Sequence, residues 1–563
     1  MSPLDPIIAR QIAWNRLIAV VEEQAQTLMR IAFSPTVREA GDLSAGVFYT
    51  DGRMLAQAIT GTPGHVNAMA AAVGHVLRRF PLADMQPGEA FVTNDPWLGT
   101  GHLNDFTVVT PIFRAGAPLA LAASTSHLVD VGGLGFGTDG QDVHEEGLFV
   151  PIMRLTRDRQ FDETLLQLIR ANVRFPTEVE GDLRALAACN DVCAARVCAL
   201  AEELGMTDLG DFARFILEAS EKGMRAAIRE LPAGRYSHAM TIDGMDSPLT
   251  LKASLEVSES GIVIDFAGTS DKVGRGINVP MIYTEAMASF GVRSVIGGRI
   301  PNNAGSLAPV TVRAPPGCLL NAPYPSPVSA RHVVGQMIPD VILGCLAQAA
   351  PDRVPAEGAS ALWILAMSGG EAGASGDRRA FGVNCFHNGG TGARPGKDGL
   401  SATAFPSGVR SGSVEVTEAG APLVFWRKGF RSGSGGVGQF RGGLGQTIEV
   451  GHLAGEAFSV SCLFDRVDHP ARGRFGGGPG AKGSVALGSG ARLEAKGRQL
   501  VPRGQTVVFE TPGGGGLGDQ SLRSGDLSER DRRAGLTGDA SSGGELAGVP
   551  ATTQGLDQGD GGR

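Results

Sequence analysis

The sequence contains little of what would assign it to a specialised class at once. Aromatic residues make up 6% and charged residues 19% of the 563 residues. No apolar run reaches the about 18 uncharged residues that a transmembrane helix needs. The formal net charge is -8, and no block of lysine and arginine forms the electrostatic footprint of a nucleic-acid-binding protein. These absences favour a globular protein with small-molecule or protein partners and no membrane or nucleic acid.

Cysteine is also scarce. The seven cysteines are odd in number and scattered, which is typical of reduced thiols in a cytoplasm. Cys189, Cys193 and Cys198 recur at helical spacing in an alanine-rich run, and we interpret them as a buried helix face. Residues 1–30 carry acidic and polar residues through their apolar pattern, unlike a signal peptide. We therefore expect a cytoplasmic protein.

Glycine, in contrast, is abundant. The chain has 82 glycines, roughly twice the ordinary share of about 7%. They cluster without a collagen-like period, so they predict tight turns, bulges and close backbone approaches in a loop-rich fold.

The hydrophobic pattern predicts a mixed α+β chain of several domains, with glycine-rich antiparallel β regions. At about 150 residues per domain, the length predicts two to four domains. Helical and alternating apolar periods change along the chain and divide it into segments. The predicted segments are an N-terminal helix (5–32) with a strand-rich region (1–164), a helical segment (165–231), an α+β region (232–378), a β-rich domain (379–518) and a disordered tail (519–563).

The densest group of chemically capable residues lies between Asn94 and Asp130. His102 and Asp105 are three residues apart, and His127 follows at the end of an apolar run. Two imidazoles and one carboxylate form a ligand set that Zn, Mn or Fe accepts while keeping positions open for water or substrate. Hydrogen-bonded side chains that hold glycine-rich turns explain the same spacing, so the residues alone leave both interpretations open.

Four acids border glycine or proline turns near these residues: Glu39, Asp42, Asp95 and Glu146. Each is a candidate for a further ligand, an imidazole-orienting carboxylate or a base, and each is also a candidate turn cap. Seven other histidines have no recognisable partner pattern, and we interpret them as structural. They are His65, His75, His238, His332, His387, His452 and His469.

Nucleotide-binding motifs are weak. Two strings match GxGxxG, at 135–140 and 433–438, but neither opens a helix after a strand. The string GTGARPGK resembles a phosphate loop, yet Asp398 stands where the Mg-binding serine or threonine belongs. The sequence therefore predicts no ATP site of that kind in this chain.

An ordered series of strings extends over nearly the whole chain. It includes REAGDLSAGVFYTDGRMLAQ, NDPWLGTGHLNDFTVVTPIF, SHLVDVGG, EEGLFVPIMRL, NVRFPTEVEGDL, DFAGTS, GINVP, PNNAGS, FRGGLGQ and TPGGGGLGD. In these strings the chain resembles the hydantoinase B/oxoprolinase family, the large metal-bearing subunits of ATP-dependent amide hydrolases and ketone carboxylases. Only the tail after about residue 519 lies outside the resemblance.

The resemblance implies a function. It places metal ligands at His102, Asp105 and His127, and it implies an ATP-dependent hydrolase that opens a cyclic amide. A separate actin-like ATPase of the hydantoinase A type would bind ATP and Mg²⁺ and phosphorylate the substrate carbonyl, in a hetero-oligomer with more than one copy. Glu146 or Asp95 would then accept a proton. A carboxylase component acting on a ketone and a non-catalytic assembly component are the alternatives.

Overall fold

The computed structural model describes residues 6–360, 362–370 and 380–538. No helix in these ranges is long and apolar enough to cross a bilayer. The helices are α1 (Pro6–Ile31), α2 (Pro35–Arg38), α3 (Pro63–Arg79), α4 (Val143–Glu146), α5 (Glu163–Asn172), α6 (Pro176–Glu203), α7 (Gly210–Arg229), α8 (Met281–Arg293), α9 (Ala304–Leu307), α10 (His332–Gly335), α11 (Ile338–Ala349), α12 (Val414–Gly420) and α13 (Gly525–Arg533).

The strands follow the same chain order. They are β1 (Leu43–Phe48), β2 (Met54–Gln57), β3 (Ala90–Thr93), β4 (Asp105–Arg114), β5 (Ala117–His127), β6 (Met153–Arg157), β7 (Gln160–Phe161), β8 (Gly234–Ile242), β9 (Leu249–Ser258), β10 (Gly261–Asp265), β11 (Val310–Arg313), β12 (Trp363–Gly369), β13 (Phe381–His387), β14 (Leu423–Phe430), β15 (Gln446–His452), β16 (Phe458–Leu463), β17 (Ser484–Leu487), β18 (Lys496–Val501) and β19 (Thr506–Glu510). The α+β prediction is confirmed.

The first sheet is antiparallel, in the order β2-β1-β5-β4-β3-β6-β7. Helices α1 and α6 cover one face and α3 covers the other, so β4 and most of β5 are buried on both faces. This explains why these strands read as apolar runs without alternation. The predicted helical segment forms α5 to α7, and it shares one hydrophobic core with the N-terminal region. Cys189 and Cys193 are buried in α6, as the helical spacing predicted, whereas Cys198 is half-buried.

The second sheet has the order β11-β10-β9-β8 and packs against α8 and α11. Buried and more exposed residues alternate along β9, which is typical of an antiparallel sheet with one face toward solvent. β8, β9 and β10 pair antiparallel, whereas β10 and β11 pair in parallel, because α8 and α9 connect them.

Two further sheets form the C-terminal region, in the orders β13-β12-β16-β18 and β14-β15-β19-β17. The indole of Trp363 stacks on Phe464 between them, with ring centroids 4.0 Å apart. The predicted boundary between residues 378 and 379 falls between β12 and β13, which pair along their whole length. That boundary is wrong, because β12 already belongs to the C-terminal sheet. The sequence between the two strands nevertheless has the composition of a linker.

Close backbone contact explains many of the glycines. A Cβ at Gly514 would lie 1.9 Å from the carbonyl oxygen of Thr391, and one at Gly442 would lie 1.9 Å from that of Gly514. Segments of irregular backbone therefore lie against each other here at a distance that only glycine allows.

The prediction of a disordered tail is wrong for residues 519–538. Helix α13 forms there, and Asp531 in it is 1% exposed. The Asp531 carboxylate binds Arg441 and Arg523, at 3.0 and 2.5 Å. Ion pairs rather than apolar contacts order this segment, and composition does not reveal them. The remainder of the predicted tail, residues 539–563, lies outside the described residues.

Candidate metal centre

The predicted metal ligands lie together at one end of the central strand pair of the first sheet. Asp105 is the first residue of β4, His127 is the last residue of β5, and the two are directly paired in antiparallel register. His102 precedes β4 in a turn in which Gly101 has a φ of 98°. A Cβ at Gly101 would lie 2.8 Å from Arg331 Nε, so the turn requires glycine. The hairpin brings the three side chains together, and their ligand atoms all lie within 4.8 Å of one another.

Asp105 is the centre of the cluster and is fully buried. Its Oδ1 lies 2.7 Å from His102 Nε2 and 3.2 Å from His127 Nδ1. Its Oδ2 lies 2.9 Å from His65 Nε2 and 2.5 Å from the Arg331 guanidinium. The Thr100 hydroxyl also donates to Oδ2, and its oxygen lies 2.9 Å away. The carboxylate is therefore fixed in orientation.

The histidine nitrogens have the arrangement that a metal ion requires. His102 Nδ1 lies 2.8 Å from the Ser329 carbonyl oxygen, which selects the tautomer that keeps a lone pair on Nε2. Within the described ranges, neither His102 Nε2 nor His127 Nε2 has a partner with hydrogen-bond geometry. Buried polar atoms without partners are costly, and two imidazoles that each contact the Asp105 carboxylate form a donor set that suits a divalent cation.

The charges around the cluster favour ionised Asp105 and neutral His102. Burial opposes the charged form of Asp105, but the neighbouring imidazoles of His102 and His65 and the guanidinium of Arg331 outweigh it and hold its pKa well below its ordinary range. Burial, followed by the charge of Arg331, lowers the pKa of His102 to about 4. An anionic carboxylate and a neutral imidazole are the protonation states that bind a metal ion.

A small cavity of about 20 Å³ lies over the cluster. The Phe136 ring lines it and packs against the rings of His127 and His102, with centroids 4.9 and 5.8 Å apart. Phe136 also lines a neighbouring cavity of about 120 Å³, together with Asn384 and Ser461. The ring of Phe136 therefore separates the cluster from a larger space.

The chain matches the Hydantoinase B/oxoprolinase family model over residues 5–520. It belongs to the hydantoinase B/oxoprolinase family. The resemblance found in the sequence strings is thereby confirmed.

Individual relatives agree with this hydantoinase B/oxoprolinase membership. The chain is 27% identical over 547 residues to the B-type component of a putative D-/L-hydantoinase from a Pseudomonas species (strain NS671), covering 92% of this chain and 91% of the relative. An ATP-dependent caprolactamase structure from Pseudomonas jessenii superposes with a TM-score of 0.85 at 24% identity, covering 95% of both chains. An acetone carboxylase structure superposes with a TM-score of 0.82 at 19% identity, over 94% of this chain and 78% of that one. The two structures show a shared fold.

Several residues line the cluster cavity although the sequence did not predict them there. His65 and His332, which we interpreted as structural, both line the cluster cavity. Arg331 and Tyr283 line it as well, and the guanidinium carbon of Arg331 lies 4.0 Å from the Tyr283 ring centre. The one sequence feature that could have pointed to this packing is Gly64, next to His65. A Cβ at Gly64 would lie 2.4 Å from the Tyr283 ring.

Asp95 lies outside the cluster cavity. Its Oδ1 accepts hydrogen bonds from the backbone N–H groups of Trp97 and Leu98, with N···O distances of 2.8 and 3.2 Å. This is the turn-capping arrangement that the sequence left open as the alternative. The position gives no support to the prediction that Asp95 accepts a proton.

Glu146 is linked to the cluster through backbone hydrogen bonds. Its Oε1 accepts hydrogen bonds from the N–H groups of Val328 and Ser329, with N···O distances of 2.7 and 2.8 Å. The carbonyl of Ser329 in turn binds His102 Nδ1. Glu146 does not line the cluster cavity, so these contacts favour a positioning role over that of the predicted proton acceptor.

Glu146 should make the stability of the protein depend on pH. Burial raises its pKa from 4.5 to about 8, helped by the negative charges of Asp142 and Glu145. Its stabilising effect is therefore complete below about pH 4.5, where it is protonated in both the folded and unfolded chains, and it is lost as the pH rises through about 8. We expect Glu146→Gln to unfold at higher denaturant concentration than the wild type at about pH 9 and at a similar concentration at about pH 5.

The same variant tests the two roles of Glu146. Glutamine keeps an oxygen for the N–H groups of Val328 and Ser329, so a positioning role predicts that Glu146→Gln keeps most of the activity and Glu146→Ala does not. Loss of activity in Glu146→Gln with unchanged metal content would show instead that the carboxylate takes part in proton transfer.

Proposed function

We propose that this chain is the large, metal-bearing subunit of an ATP-dependent amidohydrolase that opens cyclic amides of the hydantoin, 5-oxoproline or lactam type. The observation that carries the proposal is the buried cluster of His102, Asp105 and His127. Within the described ranges, the Nε2 atoms of its two histidines have no partner with hydrogen-bond geometry. Family membership supports it, as does the similarity to a hydantoinase component and to a caprolactamase.

The three ligands suit Zn, Mn or Fe, and the donor set does not select one of them. A divalent cation bound there would supply Lewis-acid polarisation and lower the pKa of water. The chain's own residues prepare the site: Arg331 and Thr100 hold Asp105, and Ser329 holds His102. Such fixed ligand orientation raises metal affinity.

ATP is needed because an unstrained amide resists water. Amide resonance makes the carbonyl carbon a weak electrophile and the nitrogen a poor leaving group, whereas phosphorylation of the oxygen turns that oxygen into a good leaving group. We assign ATP and its Mg²⁺ to an actin-like partner of the hydantoinase A type, in a hetero-oligomer with more than one copy of each chain. The Pseudomonas relative is named as one component of a hydantoinase, which supports a partner.

The phosphate-loop-like string of this chain supports the same assignment. Asp398 directly follows this string. Its Oδ1 accepts a hydrogen bond from the backbone N–H of Arg441, with an N···O distance of 2.7 Å, and it forms an ion pair with Arg523 Nη1 at 2.8 Å. The carboxylate therefore has a structural role at the contact with the C-terminal helix.

An activated amide hydrolyses wastefully in bulk water, so transfer between subunits requires a closed path. The small cavity over the cluster, lined by buried residues, agrees with such a path. We place the complex in the cytoplasm, in agreement with seven cysteines that form no disulfide with one another.

The test is ATP consumption by the purified chain together with its partner ATPase. We expect ATP hydrolysis and ring-opened product with hydantoin, 5-oxoproline or caprolactam, and neither with acetone plus bicarbonate. Treatment of this chain with a chelator before assembly should abolish ring opening, and Zn, Mn or Fe should restore it. ATP-dependent carboxylation of acetone would favour a carboxylase component. Retained metal without turnover on any of these compounds would favour an assembly component.

A further inference from the structure

The wall of the cavity facing the cluster contains an unexplained imidazole. His332, the first residue of α10, is 3% exposed. In the part of the chain that the structure describes, neither of its ring nitrogens has a hydrogen-bond partner. One turn further on, Gln336 donates from Nε2 to the Tyr283 hydroxyl, with a distance of 3.0 Å, and its Oε1 also has no partner there.

Such an arrangement is unfavourable unless something binds to it. A buried polar group without a hydrogen bond costs free energy, so structural histidines are normally paired through at least one nitrogen. His332 instead packs against the Phe136 ring, with centroids 5.6 Å apart. Burial, with the charge of Arg331, holds the pKa of His332 well below its ordinary range, so the ring is neutral. A neutral imidazole offers one N–H donor and one acceptor.

The side-chain atoms of this cavity that lack a hydrogen-bond partner among the described residues belong to the metal cluster, to His332 and Gln336, or to His65. The Nε2 atoms of His102 and His127 belong to the metal ligands described above. The nitrogens of His332 and Gln336 Oε1 lie on residues that line the same cavity but are not part of the ligand cluster. Among the described histidines of this cavity, His65 Nδ1 is the one further nitrogen without a partner.

We propose that His332 and Gln336 form the substrate-binding wall of this site, where they hydrogen-bond the reacting amide group of the cyclic substrate. The proposal rests on the proposed function and assigns the residues that would recognise the amide group of its substrate. An amide, and its O-phosphorylated form when the nitrogen keeps its hydrogen, has an oxygen that accepts and an N–H that donates, and these match the donor of His332 and the acceptor Gln336 Oε1. A ketone has no N–H and leaves Gln336 unpaired, so the wall selects amides with a free N–H.

Space and access agree with this assignment. The cluster cavity of about 20 Å³ admits only a small group, and the remainder of a ring needs the adjoining cavity of about 120 Å³. Phe136 lines both cavities, so its ring lies between them. Gly133 and Gly135 precede Phe136 in the chain, and both have a positive φ. These glycines give the segment before Phe136 backbone conformations that other residues disfavour.

Acetohydroxamate is a suitable probe because it binds metal ions and carries both a carbonyl oxygen and an N–H. We expect His332→Phe in the full-length, Co²⁺-loaded protein to bind acetohydroxamate about tenfold more weakly than the wild type, measured from the visible spectrum of Co²⁺. Gln336→Met should weaken acetohydroxamate binding but leave the binding of acetate, which has no N–H, unchanged.

His387→Phe is the matched control. His387 is 2% exposed and also lacks partners at both nitrogens among the described residues. Its ring packs on Phe509, whereas the preceding Phe386 faces His127 on the other side of β13. His387→Phe should therefore bind the probe like the wild type.

Two further measurements separate binding from folding. His332→Phe should keep its cobalt content, and the metal-free variant should unfold at the same or a higher temperature than the wild type, because a buried unpaired imidazole is removed. Equal probe affinity in the wild type and His332→Phe, including no binding by either, would overturn the proposal. Loss of probe affinity only together with lost cobalt or a lower unfolding temperature would also overturn it. If the probe results hold but no cyclic amide is opened, the amidohydrolase assignment fails and the binding wall stands.

Discussion

Replacing His102 and His127 together with alanine should release the metal from the protein and reduce ATP-dependent ring opening by about 10³-fold or more. In the proposed function the two imidazoles are the nitrogen ligands of the metal, and the ligand atoms of the cluster lie within 4.8 Å of one another. Loss of a catalytic metal removes several kcal/mol of charge stabilisation, and each ~1.4 kcal/mol corresponds to about tenfold in rate. Elemental analysis of the purified chain and product formation with the partner ATPase measure the two effects.

The control replaces two histidines away from the cluster. His75→Ala with His144→Ala removes the same number of imidazoles but leaves the cavity intact, since neither residue lines it. This variant should keep its metal and its activity. Full ring opening by the His102→Ala/His127→Ala protein would refute the metal mechanism.

The second large effect concerns stability. Asp105→Ala leaves Arg331, which is 3% exposed, without the carboxylate that lies 2.5 Å from it. Removing one partner of a buried ion pair costs about 3–5 kcal/mol, because the other charge remains buried and uncompensated. We expect this loss in the denaturant unfolding of the metal-free protein.

A double variant tests the cause. Asp105→Ala with Arg331→Met removes both charges and should be less destabilised than Asp105→Ala alone. The exposed pair of Asp51 and Arg53 provides a reference, since Asp51→Ala should change stability by only about 0.2–1 kcal/mol. A loss in Asp105→Ala no larger than in Asp51→Ala would show that the buried carboxylate does not hold Arg331.

The sequence predicted the part of the site that is local in the fold. Asp105 and His127 lie on two strands joined by a hairpin, and His102 lies in the turn just before the first strand, so short strings and family resemblance were enough to group them. Arg331 lies 226 residues from Asp105 in the chain, and His65 enters from α3 on the other side of the sheet. Such contacts arise from packing of distant segments, and neither periodicity nor local spacing encodes them.

The same distinction applies to the fold. Helical periods predicted α1 and α5 to α7, and alternation predicted β8 and β9. The boundary between residues 378 and 379 failed because strand pairing, unlike strand propensity, is a property of two segments. The ordered segment after residue 519 was missed because the ion pairs of Asp531 replace the apolar contacts on which a prediction from composition depends.

In the proposed function, the partner activates the amide and this metal site completes its hydrolysis. The most direct test assembles the partner ATPase with the His102→Ala/His127→Ala chain and follows phosphate release and ring-opened product in the same reaction with ATP and a cyclic amide. We predict that the variant complex still consumes ATP in the presence of the amide but forms no ring-opened product above background. Ring opening at the wild-type ratio of product to ATP would contradict this account.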